Sequence, residues 1–192
     1  MNPASSAPTS ADLPSAPPAS APPAVVRLAR YSTTELHEIV GDDDDPFGVA
    51  EAGLTWLPKQ EHFGIRRDGR LVAHTGLVTL PLAVGPVETE VVGFGGVVVA
   101  PGLRGHGLAR LVVTGALEHA RTCGPECGLL FCRPHLVPLY QRLGWRTREE
   151  DVHVEQPDGP VVMPLRTMWI PLRAGARWPG GSGPVRLLSL PM

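Results

Sequence analysis

The chain has no apolar run long enough to span a bilayer. Its N-terminus lacks the basic and apolar regions of a secretion signal. Both absences point to a cytoplasmic protein with no membrane partner. Cysteine is scarce: Cys123, Cys127 and Cys132 are the only three. An odd number without an export signal fits a reducing compartment rather than a disulfide framework. Cys123-x-x-x-Cys127 offers half of a metal site, but no second Cys or His pair completes it, so no metal is expected. Excess positive charge is missing as well. A net charge of −2 and a pI near 6.4 give no electrostatic case for nucleic acid. Aromatic residues make up only 5% of the 192 residues, while the hydrophobic fraction of 43% is enough for the core of one domain.

Glycine and proline are abundant, at 22 each. Seven of the prolines lie in residues 1–23, which are almost entirely Ala, Pro, Ser and Thr. Such a segment buries too little apolar surface to offset its ordering entropy. The composition predicts a disordered tail over 1–23 and one folded domain over 24–192.

Within that domain Val25 to Leu28 reads as a strand. Ser32 with Glu35 three residues on reads as a capping box that opens a helix. Asp42 to Asp45 form an acidic run, read either as a solvated loop or as a clamp for a cationic substrate. Phe47 to Gln60 suggests a short helix and a loop around Trp56. His62 to Arg66 and Arg70 to Leu80 read as strands joined by an Asp68-Gly69 turn, and Val87 to Val99 as a long return strand. Gly93, Gly95 and Gly96 interrupt that strand and suggest a bulge just before Val97. Gly128 to Cys132 reads as a strand parallel to Val97–Val99, since a helix connects the two. His135 to Leu143 reads as a short helix. Arg146 to Gln156 and Val162 to Leu172 read as a final antiparallel pair, followed by a Gly/Pro-rich tail from Arg173.

The stretch from Val97 to Ala120 carries most of the chemistry. Val97, Val98 and Val99 suit a strand buried on both faces. Pro101 and Gly102 stop it, and Arg104-Gly105-His106-Gly107-Leu108-Ala109 turns into a helix whose apolar face holds Leu108, Leu111, Val112, Ala116 and Ala120. The first N–H groups of a helix lack partners within it, and its dipole is positive at that end. Glycines let a ligand approach the backbone, and Arg104 adds a cation, so the turn suits a phosphate or pyrophosphate. It is not a dinucleotide fingerprint, because Arg110 stands where the third glycine belongs. It is not a P-loop either, because no Lys-Ser/Thr pair follows.

What remains, R-x-x-G-x-A after V-x-V, resembles the pyrophosphate-binding motif of the GNAT N-acetyltransferase superfamily at Arg104, Gly107 and Ala109. Tyr140-x-x-x-Gly144-Trp145 resembles a second segment of that family. The resemblance covers about Val25 to Leu172. It implies the α/β (α+β) GNAT fold: a central mixed, mostly antiparallel sheet, splayed between two parallel strands, with helices on both faces. It implies an enzyme that moves an acetyl group from acetyl-CoA to an amine. The pantetheine arm would pair with Val97–Val99, the pyrophosphate would sit on Arg104 to Ala109, and Tyr140 would be the general acid. The oxyanion donor would be a backbone N–H near Val97.

An amine attacks only as the neutral base, and lysine-like amines have a pKa near 10.4, so a proton must be removed. The strand Glu that many relatives use is replaced here by Gly93 or Gly95. Glu88 and Glu90 lie earlier on the strand, where they are expected to face solvent. Asp151, Glu51 and His74 remain as candidates, alongside ordered water.

A-H-x-G-L-V from Ala73, L-Y-x-x-x-G-W and Gly159-Pro160-Val161 look like the aminoglycoside 2′-N-acetyltransferase branch. That likeness implies a small cationic amine as partner, and with it antibiotic resistance or self-protection. Asp42–Asp45, Glu149, Glu150 and Asp151 would face a polycation. The glycines at 93 and 95 and the C-terminal Leu187 to Met192 depart from that branch. The competing expectations are transfer to another small amine or a protein amine, and a non-catalytic acetyl-CoA-binding module. A homodimer is left open.

Overall fold

The computed structural model describes residues 23–43 and 45–192. The expected N-terminal tail therefore lies outside the described residues except for Pro23, and so does Asp44. β1 (Val25–Leu28) leads into α1 (Thr33–Val40), whose start is fixed by the expected capping box. The Glu35 amide donates to Ser32 Oγ at 3.3 Å, and the Ser32 amide donates to Glu35 Oε2 at 2.9 Å. β2 (Glu61–Arg67) and β3 (Arg70–Val84) form a hairpin closed at Asp68 and Gly69, both with positive φ (51° and 80°). That geometry demands Asp and Gly here rather than a β-branched residue. β4 (Val87–Val99) returns antiparallel to β3.

α2 (Leu108–Ala120) crosses over to β5 (Cys127–Cys132), which lies parallel to β4 as expected. A short 3-10 turn and α3 (Val137–Gln141) follow, then β6 (Arg146–Thr147), β7 (Val152–Val154), β8 (Val161–Val162), β9 (Arg166–Pro171) and β10 (Val185–Leu187). The mixed sheet runs β6-β9-β5-β4-β3-β10-β7-β8, with β2 on the other half of β3 and β1 outside it.

Alternation along the strands sorts the core onto two faces. Ala73, Leu77, Val92, Phe94 and Leu130 pack with Val112, Val113, Ala116 of α2 and with Tyr140 of α3. Val78, Leu80, Val91 and Leu129 face the other way, where Ile39 of α1 packs on Leu71 and Val98. Helices thus cover both faces. Fully burying a side chain such as Phe94 stabilises the fold by about 1.5–3 kcal/mol.

Two expectations are corrected. The final antiparallel pair is split: β6 pairs with β9 while β7 pairs with β8. The region after Arg173 is not a loose tail. Val185 and Leu187 point inward on an alternating strand and are 2% and 0% exposed, so β10 inserts between β3 and β7. The pattern is too short, at three residues, to stand out among its glycines and prolines.

Candidate active site

β4 separates from its parallel neighbour, and the site lies in the gap. Val92, Gly93 and Phe94 pair with β5, and the pairing ends there. On the antiparallel side Gly96 and Val97 together oppose the single residue Thr75, so the strand carries the expected bulge. Gly96 has φ +62°, which favours glycine. The bulge turns β4 away from β5, and its backbone from Gly95 to Val99 is left without a strand partner on that side.

A cleft of about 750 Å³ follows from this divergence. Val97, Val98 and Val99 form one wall, and Arg104, Gly105, Gly107, Leu108 and Ala109 form its end. Gly105 and Gly107 both have φ of 80°, and an added Cβ at either would meet nothing within 4 Å, so conformation rather than crowding demands glycine. Gly107 caps α2, and the free N–H groups of the first turn open toward the cleft. Arg104 is tied to the strand end by a bond from its Nε to the Val99 carbonyl at 3.2 Å. Of the residues expected to hold a cofactor, His106 alone does not line the cleft. It is exposed, and its Nδ1 lies 2.9 Å from the Arg104 carbonyl.

On the other side of the same gap is a chamber of about 580 Å³. Phe47, Val97, Arg133, Leu136 and Tyr140 belong to both spaces, so the two meet at Val97 and Tyr140. Trp56, Phe94, Leu130, Phe131, Leu165 and Met192 make most of the chamber wall apolar. Tyr140 is 6% exposed, and burial, helped by the nearby Cys132, pushes its phenol well above the usual range. It stays a proton donor throughout the physiological range.

The polar part of the chamber is a cluster that sequence reading caught only at His74. His62 Nδ1 lies 3.1 Å from His74 Nε2, and His74 Nδ1 lies 3.0 Å from the Gly96 carbonyl. Tyr31 stacks on His74 at 3.6 Å and 6°. Lys59, the one lysine of the chain, lies along a groove made by Gly76 and Gly95, which pair across β3 and β4. A Cβ on Gly76 would stand 2.6 Å from Lys59 Cβ, and one on Gly95 would stand 2.6 Å from Lys59 Cε. The missing side chains at 76 and 95 thus leave the space that this lysine occupies. Burial lowers the Lys59 pKa to about 8.

The acidic candidates lie elsewhere. Glu51, Glu88, Glu90, Glu149, Glu150 and Asp151 are exposed, and Glu150 pairs with Arg148 at 2.7 Å. Asp43 and Asp45 border the cleft and not the chamber. Asp45 accepts the amides of Val49 and Ala50 at 2.8 and 3.0 Å, and these bonds hold its carboxyl below the ordinary range. No Asp or Glu side chain lines the chamber among the described residues. Lys59, His62, Phe47, Trp56 and Arg133 were missed because no motif spacing links them: they come from separate stretches of the chain, the loop that holds Phe47, the loop that holds Trp56 and Lys59, β2, and the segment after β5. The glycines at 76 and 95 were the one available signal for Lys59.

The family model for the acetyltransferase (GNAT) domain matches residues 35–148. The chain belongs to this family of acetyltransferases, whose cosubstrate is acetyl-CoA. A search of curated protein sequences gives no significant match. Among solved structures, the chain is similar to the GNAT family N-acetyltransferase YhbS of Escherichia coli, determined in complex with CoA. The TM-score is 0.56 at 17% identity, over 88% of this chain and 93% of that one. It is also similar to Escherichia coli ElaA, with TM-score 0.50 and 20% identity over 77% and 99% of the two chains. The Bacillus subtilis N-acetyltransferase YlbP, again with coenzyme A, gives TM-score 0.50 at 15% identity over 78% and 96%. At these identities the likeness is one of fold.

Proposed function

We propose that the chain acetylates a primary amine on a small molecule held in the chamber. One observation carries this reading: two spaces meet at Val97 and Tyr140, one ending in a glycine turn at a helix start, the other with a largely apolar wall. The turn from Arg104 to Ala109 would hold the pyrophosphate of acetyl-CoA on backbone N–H groups and the Arg104 cation. The unpaired edge of Val97–Val99 would take the pantetheine amides as a further strand takes its neighbour. A backbone N–H near Val97 would face the developing oxyanion, and Tyr140 would protonate the leaving sulfur.

The chamber lining also bears on the acceptor. A polycationic aminoglycoside would be suited by acidic side chains around the site. Lys59 and Arg133 line the chamber instead, and these cations oppose the entry of a polycation. An amine with an apolar or aromatic body fits this wall, and its ammonium would be pushed toward the neutral, reactive form by burial and by Lys59. Release of CoA thiol from acetyl-CoA with a panel of amines tests both points. Arylalkyl amines should support release and aminoglycosides and kasugamycin should not. Release with an aminoglycoside alone would restore the antibiotic reading. Tight acetyl-CoA binding, no release with any amine and no effect of Tyr140→Phe would leave a binding module.

A further inference from the structure

We propose that His62 and His74 are the proton-accepting pair of this site, with His62 Nε2 as the general base and His74 as the residue that keeps that atom bare. This rests on the reading of the site as an amine acetyltransferase. The argument starts at a backbone carbonyl. The Gly96 oxygen can only accept, so His74 Nδ1, 3.0 Å away, carries the hydrogen. Neutral His74 then has a lone pair on Nε2. His62 Nδ1, 3.1 Å from it, must donate. Neutral His62 has one ring hydrogen, already engaged on Nδ1, so its lone pair is on Nε2, and the residue lines the chamber. The bulge that opens the acetyl-CoA cleft also aims the Gly96 carbonyl. One backbone feature thereby sets both tautomers.

Elimination among the other chamber side chains reaches the same atom. Tyr31 and Tyr140 keep their protons, since burial raises both. Cys132 is pushed up to about 11 by burial. Lys59, at about 8, is mostly protonated at neutral pH, and Arg133 is always so. His74 is 1% exposed and lowered to about 3 by burial, and its one lone pair is already in use. His62 is lowered by burial first and then by the Lys59 charge, while Glu35 and the Lys59 carbonyl act the other way. It is neutral at pH 7 and available.

In the step, the acceptor nitrogen bonds to the acetyl carbonyl carbon, and that carbon's bond to sulfur breaks. The nitrogen's proton goes to His62 Nε2. The sulfur takes the Tyr140 hydroxyl proton, giving the N-acetyl product and CoA thiol. Exchange with water resets both side chains. A protonated His62 still donates to His74, so the new charge keeps its partner.

Three measurements test the pair. His62→Ala should lower kcat about 100-fold or more, with acetyl-CoA binding by calorimetry unchanged and part of the rate restored by added imidazole. His74→Phe keeps the stack on Tyr31 but removes the acceptor. It should lower kcat about tenfold and move the acidic limb of the kcat/KM profile, which His62 sets below pH 6.5 in the native enzyme. Ring nitrogen NMR of the native protein should show both histidines protonated at Nδ1. A His62 protonated at Nε2 at neutral pH overturns the proposal, as does a His62→Ala enzyme with native kcat and an unchanged acidic limb. The NMR needs no acceptor, so it decides the tautomers even if no amine releases CoA thiol, an outcome that would instead overturn the acetyltransferase reading.

Discussion

The cleft and the chamber share five residues and are built in different ways. Much of the cleft comes from one continuous stretch, Val97 to Arg110, where strand, glycine turn and helix start follow one another. The chamber draws on residues as far apart as Tyr31, Lys59, His74, Phe131, Leu165 and Met192. A site for a constant ligand can be written into one local motif, because backbone N–H groups and a helix start do the binding. A site for a particular acceptor is assembled from side chains that only the sheet brings together. The first should tolerate changes in side chains and fail when backbone conformation or charge is altered. The second should be sensitive to single side chains.

The largest expected effect is where the two spaces meet. Tyr140→Phe should lower kcat about 100-fold in steady-state assays while acetyl-CoA affinity holds. An equal loss of affinity would make Tyr140 a binding residue rather than a proton donor. Next, Arg104→Ala should weaken acetyl-CoA binding about tenfold by calorimetry, since a charge-assisted contact is worth roughly 1.5–3 kcal/mol. An unchanged affinity would mean that the backbone alone holds the anion.

On the chamber side, Gly76→Ala places a Cβ 2.6 Å from Lys59 Cβ and 3.2 Å from the Glu61 carbonyl. Overpacking of this kind costs about 1–3 kcal/mol, so the melting temperature should fall by about 3–8 °C. The smallest effect concerns Lys59 itself. Its folded pKa, about 8, is below the ordinary 10.5, so the unfolded chain binds the proton more readily between those values. Stability therefore rises with pH across that window, and below it the buried ammonium is a standing cost. Lys59→Met should raise the melting temperature at pH 7 by about 2–5 °C, with the gain fading above pH 10. A gain that did not depend on pH would be packing and not charge.

The elements with strong local signals were legible. The Ser32–Glu35 capping box, the Asp68-Gly69 turn, the β4 bulge and the strand–turn–helix around Arg104 all appear where the residues place them. β10 was missed because three alternating residues among glycines and prolines carry almost no periodic signal. His74 was seen only as a lone histidine on a strand. Nothing in its neighbours says that His62, twelve residues earlier, lies 3.1 Å away. Register decides that: His74 stands opposite Gly64 on β2 and Val98 on β4.

By itself the sequence determined the family, the strand–turn–helix at Arg104 and the position of the bulge, because each depends on residues close together in the chain. The tertiary structure alone decided what fills the space left by glycine at 76 and 95, that His62 and His74 lie within hydrogen-bond reach, and that the chamber wall is apolar and cationic. Those properties depend on strand register and on which distant side chains a splayed sheet brings face to face.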